Sequence, residues 1–152
     1  MEEVRRAEPA DLDRCRELLA GAIDASARQR GASLLVAAAG DTTAGLADAW
    51  HDDPSSVLFV GTYDGAVVGV AAGRLAPVGG RHLGRVECCY VEPEARAVGV
   101  GAAMIQALLG WFGEQGCTDV DALALPGDRS TKQLLESSGF KARLLVLHRS
   151  LG

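Results

Sequence analysis

Apolar residues recur at spacings of three and four near the start of the chain, and this spacing predicts an amphipathic helix. The residues that follow it are Leu12, Cys15, Leu18, Leu19, Ala22 and Ile23. Pro9 and Asp11 stand directly before them, where proline suits the first turn and an acidic residue complements the positive end of the helix dipole. A strand is predicted ahead of this helix, over 3–6. A second helix is predicted from a capping segment at 41–43 to Trp50, and the apolar stretch 31–40 is ambiguous.

The middle of the chain is rich in β-branched and aromatic residues and is divided by turn signals. Three strands are predicted here, over residues 57–63, 66–75 and 86–91. Asp64-Gly65 between the first two is a strong signal for a two-residue hairpin turn. The glycine-rich stretch 77–84, which carries Arg81 and His82, is predicted as a loop.

The last third of the chain alternates again between helical and strand patterns. The predicted elements are a helix over 101–113, a strand over 120–125, a turn at 126–128, a helix over 129–138 and a last strand over Leu144–His148. Gly139 is placed to cap the second of these helices. The full order is β-α-α-β-β-β-α-β-α-β with no repeat or linker, which predicts one α/β domain over residues 1–152.

Composition and charge narrow the function classes. The chain has 152 residues, of which 48% are hydrophobic and 23% charged, with a net charge of −5. An acidic chain argues against a nucleic-acid partner and favours a cationic small molecule or peptide. No apolar run reaches the length of about 20 residues that a membrane span needs, and Met1-Glu2-Glu3 lacks the pattern of a signal peptide. We therefore expect a cytoplasmic protein without a membrane partner.

Cysteine and histidine spacing gives no metal pattern. The four cysteines are Cys15, Cys88, Cys89 and Cys117, and none forms a C-x-x-C pair. The three histidines are scattered singly, so no metal site is expected. Adjacent cysteines point to opposite faces of a strand, and Cys88 and Cys89 are interpreted as small core residues rather than a redox pair.

The chemically informative stretch is the junction between strand 86–91 and helix 101–113. It contains Arg96-Ala-Val-Gly99-Val-Gly101-Ala102. A helix N-terminus presents unpaired N–H groups and partial positive charge, and glycines let a phosphate approach the backbone closely. The P-loop pattern fails because no Gly-Lys pair follows, and the dinucleotide fingerprint fails because Met104 occupies its third glycine position.

This junction, Arg-x-x-Gly-x-Gly-Ala after a strand that ends Val-x-Pro, resembles the GNAT superfamily of N-acetyltransferases. The opening segment 4–11 is similar to that family's first strand and helix start, and Leu134–Phe140 is similar to its ending in Gly-Phe. The resemblance covers essentially the whole chain. It implies a mixed, mostly antiparallel central sheet flanked by helices, and acetyl-CoA as the co-substrate.

The resemblance also implies where coenzyme A would bind. Strands 86–91 and 120–125 are expected to splay apart, with the pantetheine arm in the gap and the pyrophosphate at the loop 96–102. Asp128 stands where the family commonly has a pantetheine-contacting asparagine, and Ser130 begins the following helix. The expected cofactor-binding residues are Cys89, Val91, Arg96, Ala97, Val98, Gly99, Val100, Gly101, Ala102, Asp128 and Ser130.

The expected catalytic residues are Glu87 and Tyr90. Glu87 is the candidate general base for the amine, and the alternative for it is an ion pair with Arg85. The family's usual tyrosine acid is replaced by Leu135, which cannot donate a proton. Tyr90 is the substitute in our assignment, with Cys88 and Ser138 as alternatives.

We expect an acyl-CoA-dependent N-acyltransferase in which a primary amine, on a small molecule or a peptide, attacks directly within a ternary complex. The acidic pair Asp52-Asp53 would suit a cationic acceptor. A non-catalytic acyl-CoA-binding or regulatory module and a plain interaction domain are the alternatives, since Leu135 and Asp128 depart from the family pattern. A homodimer could form by pairing of strand 144–148 across a two-fold axis.

Overall fold

The computed structural model describes residues 1–29 and 43–152. The ambiguous stretch 31–40 and the first two residues of the predicted helix cap at 41–43 lie outside the described residues. The strands are β1 (Glu2–Arg6), β2 (Ser56–Tyr63), β3 (Ala66–Val78), β4 (Arg81–Val91) and β5 (Asp119–Ala122). The helices are α1 (Leu12–Ala27), α2 (Thr43–Asp52), α3 (Val100–Glu114) and α4 (Arg129–Ser137), with short 3-10 turns at Pro9–Asp11 and Pro93–Val98.

The five strands form one sheet in the order β1-β2-β3-β4-β5. The first four pair antiparallel, and β5 pairs parallel with β4. Helices α1 and α2 cover one face, and α3 covers the other. This confirms the expected mixed, mostly antiparallel sheet flanked by helices.

The start of α1 is held to the sheet by an ion pair. Asp11 accepts hydrogen bonds from Arg5 Nη1 at 2.6 Å and from the Glu8 backbone N–H at 2.8 Å. The hydrogen bond from Arg5 is the main cause that lowers the pKa of Asp11 below its usual value. Cys15 and Leu18 behind it are buried, as the helical spacing predicted.

Both hairpins of the sheet turn on two residues. Asp64 and Gly65 have φ of 49° and 85°, which confirms the first turn. The predicted loop over 77–84 is wrong, because Gly79 and Gly80 take φ of 56° and 79° and form a second tight turn. Two glycines are themselves a hairpin signal, and β3 and β4 pair right up to them. Arg81 and His82 are consequently the first residues of β4.

Helix α3 packs closely on the sheet because several strand positions facing it have no side chain. A Cβ on Gly61 would lie 2.4 Å from Val100 Cγ1, and one on Gly84 would lie 2.7 Å from Phe112 Cδ1. Met104, Val100 and Phe112 of α3 are fully buried in this layer. None of the helices in the described residues is long and apolar enough to cross a membrane.

The end of the chain differs from the sequence prediction. Gly139 has φ of 93°, and the Phe140 N–H donates to Leu135 O at 3.0 Å, which confirms the predicted cap of α4. Residues 140–152, however, form neither helix nor strand, so the predicted strand Leu144–His148 is wrong for this chain by itself. A strand needs a neighbour for its backbone groups, and within residues 1–29 and 43–152 no strand pairs with this segment. Strand β5 also ends early, at Ala122 instead of 125.

Candidate functional site

Strand β4 carries a bulge at Glu87. Cys88 lies opposite Ala72 and Val86 lies opposite Gly73, so Glu87 has no residue across from it on β3. A bulge adds one residue and re-aims the side chains around it. Glu87 and Cys88 therefore both lie on the face covered by α1 and α2, whereas Cys89 returns to the α3 face. Sequence inspection gave no signal for this bulge.

Past the bulge, β4 has an open edge. Its pairing with β5 runs only from Leu83–Asp119 to Val86–Ala122, so the two strands separate where the family resemblance implied. The Glu92 N–H donates to Val68 O at 2.9 Å, and alternate residues of an antiparallel ladder face the partner strand. The backbone groups of Cys89 and Val91 consequently face away from β3, toward the gap.

The open edge leads into the N-terminus of α3. Gly99 precedes the helix with φ of 84°, and the nearest atoms to a Cβ placed there belong to the Glu2 carboxylate at 3.9 Å. The first hydrogen bond within the helix runs from the Ala103 N–H to the carbonyl oxygen of Gly99, the N-cap residue, at 3.1 Å. The N–H groups of Val100, Gly101 and Ala102 have no acceptor within the helix, and such groups bind anions.

The two motif glycines differ in role. A Cβ on Gly101 would lie 3.3 Å from Leu134 Cδ2 and 3.7 Å from Val91 Cγ2. The missing side chain at Gly101 thus lets α3 approach α4, whereas Gly99 serves the left-handed backbone turn. Val100 is fully buried, and its side chain packs in the core beneath α3. Ala102 is exposed at the helix start.

Arg96 ties the 3-10 turn to the end of β4. Its Nε donates to Val91 O at 2.9 Å, and its guanidinium carbon lies 5.5 Å from the centre of the Tyr90 ring. Arg96 thereby uses one of the gap-facing groups of β4. Ala97 and Val98 complete the same turn, exposed and half-buried respectively.

Asp128 has a structural task in this fold. It is the N-cap of α4, and its carboxylate accepts from the Thr131 N–H at 3.1 Å and the Thr131 hydroxyl at 2.7 Å. The Ser130 hydroxyl lies 3.4 Å from the same carboxylate. This cap explains why an aspartate suits the position, and the predicted coenzyme A contacts of Asp128 and Ser130 stay predictions.

Glu87 is held by an ion pair, although not with Arg85. Its Oε1 lies 3.1 Å from Arg74 Nε, and Arg74 Nη1 lies 4.0 Å from Asp53 Oδ2. The Glu87 side chain is one-third exposed, with a relative accessibility of 33%. Asp53 also accepts from the Ser55 N–H and hydroxyl, and these hydrogen bonds lower its pKa. Asp53, Arg74 and Glu87 thus form a network of ion pairs that extends from the end of α2 to the bulge.

Tyr90 and Trp50 both pack toward the core. The Tyr90 hydroxyl would be 3.1 Å from a Cβ on Gly21, so the ring packs against α1. Trp50 is only 5% exposed and belongs to the core under α1 and α2. Of the residues expected at the acceptor site, the Asp53 end of α2 is therefore the part that reaches the surface.

The two adjacent cysteines are partly buried and pack against the core on opposite faces of the sheet. Burial raises the pKa of Cys88 well above its usual value and that of Cys89 to about 12, so both are neutral at physiological pH. The Cys89 thiol makes only a long contact with Gly101 O, at 4.0 Å. Leu135, at the position of the family's tyrosine, is also buried, at 7% exposure. In the part of the chain that the structure describes, no cluster of three potential metal ligands occurs.

Residues 37–140 match the model of the Acetyltransferase (GNAT) family. Among solved structures, an acetyltransferase from Trypanosoma brucei is 26% identical with a TM-score of 0.69, covering 99% of this chain and 100% of that one. The aminoglycoside N-acetyltransferase AAC(6')-Iy, in complex with a coenzyme A bisubstrate analogue, is 17% identical with a TM-score of 0.74 over 99% and 98% of the two chains.

A ribosomal-protein-alanine N-acetyltransferase from Brucella melitensis biovar Abortus 2308 is 18% identical, with a TM-score of 0.72 and full coverage of both chains. At these identities, the similarity of the second and third structures to this chain shows a shared fold only. No curated protein sequence matches the chain.

Proposed function

The chain belongs to the Acetyltransferase (GNAT) family, and from this premise we propose that it transfers an acyl group, acetyl in the first instance, from coenzyme A to a primary amine. One observation carries the proposal: the open edge of β4 runs directly into the unpaired N–H groups of α3. An edge of free peptide groups suits the amides of a pantetheine arm, and a helix N-terminus suits a pyrophosphate.

In this proposal the N–H groups of Val100, Gly101 and Ala102 hold the pyrophosphate. Gly99 allows close approach, since beyond its chain neighbours the nearest atoms to a Cβ placed there lie 3.9 Å away. The gap-facing C=O of Cys89 and the Val91 N–H remain for the pantetheine amides. Arg96 supports the site by holding the turn to β4.

The acyl thioester supplies an activated carbonyl carbon. The amine nitrogen forms a bond to that carbon as the carbon–sulfur bond breaks, and the nitrogen must lose a proton. Glu87 accepts this proton, directly or through a water, because its carboxylate lies at the bulge and is one-third exposed. In this proposal the Cys89 N–H stabilises negative charge on the carbonyl oxygen, and the Cys89 C=O and Val91 N–H are the groups left for the pantetheine amides.

The departing thiolate needs little assistance, because thiols ionise near pH 8.5. Leu135 is buried in the core and donates no proton. Tyr90, on the strand that borders the gap, is our candidate for the proton donor.

The acceptor is proposed to be cationic. Asp53 and Glu87 both contact Arg74, and Arg85 lies opposite Arg74 on β4, so the charges beside the bulge balance. The feature that favours a cationic acceptor is the acidic pair Asp52-Asp53 at the end of α2. The structural neighbours are named for an aminoglycoside and for a protein alanine, so both amine classes belong in a substrate panel.

A non-catalytic acyl-CoA-binding module is the second candidate. Two observations favour it: Leu135 replaces the tyrosine acid, and Asp128 is engaged as a helix cap. In that case coenzyme A would bind without amine-dependent release of its thiol.

The deciding experiment is calorimetric titration of acetyl-CoA and coenzyme A, combined with a thiol-release assay over polyamines, aminoglycosides and peptides with free N-termini. Binding in the micromolar range with amine-dependent thiol release supports the transferase. Binding without release across the panel supports the module. Absence of binding by the folded protein would overturn both.

A further inference from the structure

A buried hydroxyl lies without a partner beside the network of Asp53, Arg74 and Glu87. Ser56, the first residue of β2, is 6% exposed, and within the described part of the chain its Oγ has no hydrogen-bond partner. Such a group is unfavourable, because it gives up its hydrogen bonds to water and gains none in return. An unpaired buried hydroxyl in a native fold therefore calls for an explanation, and a functional task is one of the few available.

Ser56 lies within reach of Arg74. The two residues are directly opposite each other on β2 and β3, and opposite residues of an antiparallel pair share a face, with Cβ atoms about 4.5–5.5 Å apart. The Ser56 N–H also donates to Asp53 O at 3.0 Å. This tight turn places the Asp53 carboxylate and the Ser56 hydroxyl together at the end of α2.

Arg74 holds its two carboxylates unequally. Its Nε lies 3.1 Å from Glu87 Oε1, whereas its Nη1 lies 4.0 Å from Asp53 Oδ2, which is too far for a hydrogen bond. The other oxygen of Asp53 accepts from the N–H and the hydroxyl of Ser55, and these hydrogen bonds lower the pKa of Asp53, so it stays charged. Because a guanidinium carries five N–H donors, Arg74 can take up Asp53 Oδ2 and Ser56 Oγ by turning in place.

The pairing of Arg74 with Glu87 conflicts with the role of Glu87 as the base. The carboxylate must meet the ammonium group of the acceptor, and the guanidinium already lies against it. Two cations beside one partly exposed carboxylate repel each other. When the acceptor binds at Glu87, the attraction that holds Arg74 there is weakened, whereas Asp53 and Ser56 still offer it hydrogen-bond acceptors.

We propose that Arg74 is a positioning residue that changes partners during the reaction, from Glu87 to Asp53 and the Ser56 hydroxyl. This inference rests on the proposed function, since it concerns the base of that reaction. The ammonium group of the acceptor takes the place of Arg74 at Glu87, and its proton then moves from the nitrogen to a Glu87 oxygen. Arg74 stays protonated throughout, and it returns to Glu87 after that carboxyl has released the proton to solvent.

Chemical denaturation of single and double variants tests this exchange without any acceptor. Glu87→Gln removes the charge of Glu87 and so imitates its protonated form. Ser56→Ala removes the unpaired hydroxyl and is measured with and without Glu87→Gln. Thr62→Val is the matched control, because Thr62 is also buried, at 5% exposure, and lies at the other end of β2. A crystal structure of the Glu87→Gln protein is the second readout.

The effect of Ser56→Ala on stability should change sign between the two backgrounds. With Glu87 present, the substitution should leave the denaturation midpoint unchanged or raise it, because it deletes a buried group without a partner. With Glu87→Gln, it should lower the midpoint, because Arg74 then bonds to that hydroxyl. Thr62→Val should have the same effect in both backgrounds. The crystal structure should show an Arg74 Nη atom within about 3.2 Å of Ser56 Oγ.

Kinetics link the exchange to the reaction. With an amine that supports thiol release, Ser56→Ala should lower kcat by about two- to tenfold, the worth of one hydrogen bond, and leave the Kd for coenzyme A unchanged. In an Arg74→Met background, Ser56→Ala should have no further effect on kcat.

Equal effects of Ser56→Ala on stability in both backgrounds would overturn the exchange of partners. An Arg74 side chain that stays beside residue 87 in the Glu87→Gln structure would overturn it too, as would an unchanged kcat in Ser56→Ala. Absence of thiol release with every amine would instead overturn the proposed function, and the sign of the stability change would still decide whether Arg74 exchanges its partners.

Discussion

Placing a carboxylate at the start of α3 tests the pyrophosphate site directly. Substitution of Gly99 or Gly101 is less clean, because Gly99 has a left-handed backbone and a side chain on Gly101 would press on Leu134. Ala102 is exposed and occupies the third position of the helix. Ala102→Glu therefore adds a negative charge beside the unpaired N–H groups without a backbone or packing conflict.

The expected loss of coenzyme A affinity follows from the charges. Two unit charges 4 Å apart repel by about 1 kcal/mol in bulk water and by about 4 kcal/mol at an effective dielectric constant of 20. Repulsion from the two charges of a pyrophosphate thus costs at least about 2 kcal/mol of binding free energy, which raises the Kd about thirtyfold. A glutamate at this position can also bond the helix N-terminus itself. Thermal stability should accordingly stay equal or rise slightly.

The assay is calorimetric titration of coenzyme A at low and high salt, with Gln106→Glu as the control. Gln106 is exposed one turn further along α3, so it receives the same charge away from the free N–H groups. The control should bind nearly as the unmodified protein does, and salt should reduce the difference between the variants. A folded Ala102→Glu protein with unaltered affinity at low salt would refute the pyrophosphate site.

Three further predictions concern the base, the packing and the pH dependence. Glu87→Gln should lower kcat at neutral pH by about 10²–10⁴-fold and leave the Kd for coenzyme A unchanged; an unaltered pH–rate profile would remove Glu87 as base. In chemical denaturation, Gly61→Ala should destabilise the protein by about 1–3 kcal/mol through overpacking, whereas Gly110→Ala, which meets no atom within 4 Å, should stabilise it by about 0.5–1 kcal/mol. Asp11→Asn should cost up to about 1 kcal/mol at neutral pH. Because Arg5 lowers the pKa of Asp11, that cost should disappear as the pH falls from about 3.9 through the lowered pKa; a cost that persists at lower pH would contradict the ion pair.

Local patterns along the chain were sufficient for most elements. The spacing of Cys15 and Leu18 predicted the buried face of α1, and Asp64-Gly65 predicted the first hairpin. The motif from Arg96 to Ala102, which follows a predicted strand, predicted a turn and a helix start, and both lie where they were expected. These features depend on backbone preferences and periodicity within a few residues, so they are visible without the fold.

Contacts between residues that are far apart in the sequence could not be predicted from such local patterns. An ion pair with Arg85, two residues away, was the alternative role for Glu87, and the observed partner is Arg74 on the neighbouring strand. The tertiary structure likewise gave Gly101 a packing contact with Leu134 and Asp128 a capping task.

The end of the chain shows the difference most clearly. The apolar run 144–148 has the composition of a strand, and composition alone predicted one. Whether a strand forms depends on a partner for its backbone groups, and the sheet of the described residues ends at β5 without pairing this segment. The sequence by itself determined which segments can form strands and helices, whereas the tertiary structure decided which of them find a neighbour, because hydrogen-bond partners across a sheet are set by register and not by local preference.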